Sequence, residues 1–198
     1  MMVARPISLT ALFAETFRNP AQVGATIHAV RFDRGTLWSM LLLVSIVSAL
    51  AVLYSVHYEP SPVTEQMRNI GPFAMTAVTF GSLTILVFAL YFTAQMMGGT
   101  ARFPGTLLAV IWWQAVSMAL QAGIMVLDLV APPLAALAGL AAFFLTFYWL
   151  AHFMNEINGF GSLLKAFGVI LMAFVGMLIG LFFILSLIMG AVAVGGVA

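Results

Sequence analysis

Three groups of side chains have types and spacings that could do chemistry. Gln114, Ser117, Gln121 and Asp128 follow one another at intervals of 3, 4 and 7, which places them on one face of a helix. Amides and a carboxylate in so apolar a stretch would either line a path for a polar substrate or hydrogen-bond to neighbouring helices, the latter being the expected role. His152 and Glu156 stand four residues apart, with Asn155 and Asn158 beside them. Such a pair on one helical turn can shuttle a proton or hold a metal. Two ligands do not complete a metal site, and no HExxH or comparable cluster supplies the rest, so a hydrated polar cap is expected. Gly176 and Gly180 form a GxxxG pair, and Ala135 with Gly139 and Ala138 with Ala142 repeat the spacing. Small residues so placed let helices approach closely in lipid, within one chain or, less favoured, between two copies.

Enzymatic chemistry is not expected. His28, His57 and His152 fall in the arm or at the ends of apolar runs, and Ser162 of GFGS sits in a corner. Neither a paired-Glu motif nor a phosphate-cradling loop occurs, and with no cysteine there is no thiol nucleophile, disulfide or thiolate ligand. No metal and no cofactor are therefore expected. Thirteen methionines and seventeen phenylalanines read as core filler and lipid-facing surface.

The elements that must position these groups follow from composition. Of 198 residues, 64% are apolar and 7% charged, against roughly 25% charged in a soluble domain. Mean hydropathy is +1.15. Several uncharged runs exceed the roughly 20 residues that cross a bilayer as a helix, whereas a barrel would alternate in segments of about 10. The expected fold is all-α: a polytopic integral membrane bundle of five transmembrane helices with an N-terminal amphipathic arm. The arm takes residues 1–35 and the membrane domain 36–198, with spans at about 36–58, 72–97, 104–130, 134–153 and 163–189. Gly98-Gly99 ends the second span and Pro132-Pro133 breaks the third from the fourth. Trp38 and Tyr54 or Tyr58 suit the two interfaces.

In the arm, Leu9, Leu12, Phe13 and Phe17 share a face, Asn19-Pro20 starts a second helix, and Val23, Ile27 and Val30 continue the stripe. Two short helices lying at the membrane surface are expected. LTALF is too short for the apolar core of a secretion signal and runs into Glu15 and Arg18, so no cleavable leader is expected.

Orientation follows from basic residues. Arg5, Arg18, Arg31, Arg34, Arg102 and Lys165 fall on one side of a five-span chain and Arg68 alone on the other. Six against one places the N-terminus in the cytoplasm and the C-terminus outside. A net charge of +1 with no basic run excludes a nucleic-acid partner.

LYFTAQMMGGTARFPGTLLAV (90–110) and FYWLAHFMNEINGFGSLLKAF (147–167) turn one corner twice, 57 residues apart. Tyr91, Ala94, Met97, Phe103, Leu107 and Ala109 coincide with Tyr148, Ala151, Met154, Phe160, Leu164 and Ala166, and Gln95 stands in the place of His152. Both corners fall on the same side, which makes a parallel repeat rather than the inverted kind found in many transporters.

GGTARFPGTLLAVIWW, a further span, then NGFGSLLKAFGVILMAF resembles the Yip domain of Ypt/Rab-interacting proteins, and TFRNPAQV is similar to the F-x-N-P start of bacterial members. The resemblance runs over roughly residues 14 to 190 and implies five spans with a cytoplasmic N-terminus. Eukaryotic relatives bind prenylated Rab-type GTPases, but the D-L-Y-G-P element is missing here and IWWQAVSMAL replaces the G-Y-x-x-x-P element, so GTPase binding is not supported. The preferred expectation is a scaffold or membrane-organising protein of the bacterial inner membrane, contacting lipids and recruiting a protein partner through the arm and corners. The rival expectation is a small transporter, channel or lipid-moving protein using the Gln114 to Asp128 face.

Overall fold

The computed structural model describes residues 8–58, 67 and 69–195. Among these there are seven helices and no strand: α1 (Leu9–Arg18), α2 (Pro20–Ala29), α3 (Arg34–Tyr58), α4 (Pro72–Met96), α5 (Phe103–Asp128), α6 (Pro132–Asn158) and α7 (Leu163–Gly195). Five of them, α3 to α7, are long and apolar enough to cross a membrane, as the hydropathy pattern predicts. Arg5, Arg68 and the last three residues of the AVAVGGVA tail lie outside the described residues.

Local sequence explains the ends. Ser8 caps α1 by accepting from the Ala11 N–H at 3.1 Å, and Asn19 caps α2 by accepting from Gln22 N–H at 3.3 Å. Proline opens α2, α4, α5 and α6 at the first or second position, where a missing N–H leaves no bond unmade. Pro132-Pro133 therefore begins the fourth span instead of separating it from the third. The same helix runs to Asn158, five residues beyond the expected Phe153, because polar side chains end hydropathy without ending helicity. It stops at Gly159, whose φ of 63° lets Phe160 N–H reach back to Asn155 C=O at 3.2 Å.

Packing follows the repeat. Helix α5 lies against α6 as α4 lies against α7, while α3 covers α4 and α5. Trp149 and Phe153 are the largest fully buried side chains, in a core that also takes Leu90, Leu107, Val110 and Ile170.

The arm differs from expectation. Its two helices form where the pattern puts them, but Val23 and Ile27 are 0% and 4% exposed and belong to the bundle's own core. Helix α2 seats on α6 and α1 runs beside α5, so protein covers Val23 and Ile27 of the stripe assigned to the membrane surface, while Leu9 and Phe17 of α1 stay exposed. Lipid would satisfy those apolar faces about as well as protein does. What selects protein is closeness: a Cβ added at Gly24 would lie 2.8 Å from the Glu156 Cβ and 3.3 Å from the Phe153 Cα. Trp112 Nε1 also donates to Thr16 Oγ1 at 3.1 Å, and the Phe17 ring meets Trp149 edge-on at 4.8 Å.

Candidate functional site

Two regions hold the candidate residues, one at each end of the bundle. At the arm end the two corners lock together. Asn158 is buried at 1% exposure; its side-chain amide donates to Met154 C=O at 2.9 Å and its Oδ1 accepts from Ala101 N–H at 3.4 Å. Its backbone carbonyl accepts from both the N–H (3.2 Å) and the hydroxyl (3.1 Å) of Thr100. Ala101 is the residue 57 positions earlier, so the repeat's equivalent positions touch each other. Gln95 closes the first corner by donating to Ala101 C=O at 2.8 Å, and Asn155 closes the second by accepting from Ser162 N–H at 2.9 Å. Gly98, at φ 78°, turns the chain, and Gly99 makes room: a Cβ there would sit 2.3 Å from Asn158 Oδ1.

His152 and Glu156 share a face of α6 but do not join. The Glu156 carboxylate accepts from Asn155 Nδ2 at 3.1 Å, and His152 packs edge-on against Tyr148 at 4.4 Å with no hydrogen-bond partner within the protein on either ring nitrogen. Among the described residues no three His, Cys, Asp or Glu side chains converge. Arg18, Arg31, Arg34 and Arg102 are exposed at this end, and Lys165 Nζ stands 4.8 Å over the Phe160 ring. Asp33 caps α3, accepting from the N–H (3.1 Å) and the hydroxyl of Thr36. The hydroxyl bond, chiefly, holds its carboxyl below the ordinary value of 3.8.

At the far end, α3, α5 and α6 diverge around a cavity of about 780 Å³. Its walls are mostly Val, Ala, Leu, Ile and Met, with Ser117, Gln121 and Asp128 of α5 among its lining. The four residues of the face read from spacing divide between packing and cavity. Gln114, the innermost member, donates to Ser48 Oγ of α3 at 2.9 Å and does not line the cavity. Ser117 lines it, yet its hydroxyl donates back to Trp113 C=O at 2.7 Å. Gln121 and Asp128 are exposed, Asp128 at the last turn of the helix. Ala135, Gly139 and Ala142 form the facing wall on α6, so these small residues leave space rather than closing it.

Gly176 and Gly180 stand apart. Both are exposed, and a Cβ at either would meet nothing within 4 Å, so the expected intramolecular packing there is not found among the described residues. Three contributors went unread in the sequence, Gly24, Ser48 and the Thr16–Trp112 pair, and Gly99 reads there only as a helix end. The 57-residue offset was a usable signal for the Asn158 clasp, since it sets Asn158 opposite Ala101. The others carried no motif.

The family model described as the Yip1 domain matches residues 14–184, well over half of the chain. No curated protein and no solved structure matches it.

Proposed function

The chain belongs to the Yip1 domain family, and from that premise we propose a non-enzymatic, membrane-organising protein of a bacterial inner membrane. Its arm end faces the cytoplasm and recruits a protein partner. One observation carries this reading: arm and corners form a single prebuilt surface, clasped by Asn158 and seated at Gly24. A surface already ordered loses little conformational entropy on binding. The exposed Arg18, Arg31, Arg34 and Arg102 give it a basic character suited to an acidic partner.

Undocking the arm tests the reading. Gly24→Leu should lift α2 from α6, leave membrane insertion intact and reduce severalfold the partner recovered from native membranes in mild detergent. Equal recovery by the variant counts against it.

A second reading is favoured by a separate observation, the cavity lined by Gln121 and Asp128 at the far end. There the protein would bind or move membrane amphiphiles. Reconstitution in liposomes with a lipid-exchange or flux readout distinguishes the two: a scaffold is silent, a lipid-moving protein is not.

A further inference from the structure

We infer that the far-end cavity takes a phospholipid with a primary-ammonium headgroup, phosphatidylethanolamine, from the leaflet opposite the arm. The inference rests on the second reading above and names its ligand. Three observations lead to it.

Size comes first: about 780 Å³ falls within the roughly 300–1,000 Å³ of small-molecule sites, and the mainly aliphatic walls suit an acyl chain. Polarity is graded in the second. Along α5 the lining runs from Asp128 at the helix end to Gln121, about 10 Å deeper at 1.5 Å per residue, and then to Ser117. Beyond that, Gln114 donates to Ser48 Oγ, which itself donates to Val44 C=O, and neither residue lines the cavity. An amphiphile has the same gradient, from charged head through ester groups to hydrocarbon.

Charge is the third. Among the described residues that line the cavity, Asp128 alone is charged. It stands at a helix C-terminus, where the macrodipole disfavours an anion, so a cation beside it relieves an electrostatic penalty. The carboxylate of Asp128 and the amide oxygen of Gln121 are hydrogen-bond acceptors, which a primary ammonium can donate to and a quaternary choline cannot.

The test uses the full chain in nanodiscs of equal phosphatidylethanolamine, phosphatidylcholine and phosphatidylglycerol. Native mass spectrometry counts the lipids retained, and a diazirine on the acyl chain maps where each sits. Phosphatidylethanolamine should be enriched about fivefold over the other two, the scale of one partly screened charge contact. The label should fall within 117–128 and 135–146. Asp128→Asn, an exposed change that leaves the fold alone, should erase the preference while acyl labelling persists. Gly139→Phe, directed into space where an added Cβ meets nothing within 4 Å, should remove the label for every lipid. Cavity labelling without a headgroup preference, or with a preference that Asp128→Asn leaves unchanged, overturns the headgroup assignment and leaves the cavity reading standing. Label confined to outward residues such as Leu137 and Phe144 overturns both.

Discussion

The two ends of this bundle are built from similar helices and finish in opposite ways. At the arm end polar groups meet one another: Asn158 with Thr100 and Ala101, Gln95 with Ala101, Thr16 with Trp112. At the far end Gln121 and Asp128 face a cavity. Composition does not make the difference, since both ends contain amides, small residues and aromatics. Closeness does. Gly24 lets α2 close on α6 and Gly99 brings the two corners within hydrogen-bonding reach, whereas Ala135 and Gly139 stand across open space. In lipid, where apolar faces gain little from choosing protein over hydrocarbon, such contacts decide which helices close.

Substitutions can break that contrast. The largest effect is expected from Gly99→Val, whose Cβ would press on Asn158 Oδ1 at 2.3 Å and on the Ala94 carbonyl oxygen at 2.9 Å. A loss of about 3 kcal/mol is expected, read as a lowered melting temperature of tryptophan fluorescence in nanodiscs. An unchanged melt would mean the corners are looser than described.

Next comes the split within α5. Gln114→Leu removes the bond to Ser48 and should cost about 1 kcal/mol, while Gln121→Leu, facing the cavity, should stay within about 0.5 kcal/mol of the parent. Equal losses would erase the distinction between packing and cavity positions on this face.

A smaller effect belongs to Asp33. Its carboxyl is held below 3.8, mainly by the Thr36 hydroxyl, so the folded state favours the charged form. The stability this contributes is present above the unfolded value and is lost as pH falls through the lowered folded one. Melting of the parent should therefore drop below about pH 4 more steeply than that of Asp33→Asn. Parallel pH profiles would dismiss the cap.

The smallest effect is Gly176→Leu. With nothing within 4 Å of an added Cβ, melting should shift by less than about 0.5 kcal/mol. A substantial loss, or a changed mass in nanodiscs, would reveal a partner at the GxxxG pair.

How much of this could be read beforehand depends on the kind of signal. The five spans were legible because uncharged length is itself the physical requirement for crossing lipid, and the α5 face because helical spacing is arithmetic. Ends were less so: the proline pair reads equally as a stop and as a start, and α6 continues through Asn155, Glu156 and Asn158, five residues past Phe153. The arm was misassigned for a deeper reason, since an amphipathic stripe records that a face is apolar and not what covers it. Gly24 reads as an indifferent helix residue until Phe153 and Glu156 are set against it. A void has no motif at all, so Ala135 and Gly139 read as packing residues although they border empty space.

The seating of α2 on α6 has an implication for biogenesis. The ribosome makes Gly24 early and its seat, Phe153 and Glu156, only after three spans have been threaded into the bilayer. Until then Val23 and Ile27 lack their seat in the protein, and in a chain stalled before the fourth span they can turn only to lipid. Docking of α2 thus reports that the fourth span has arrived.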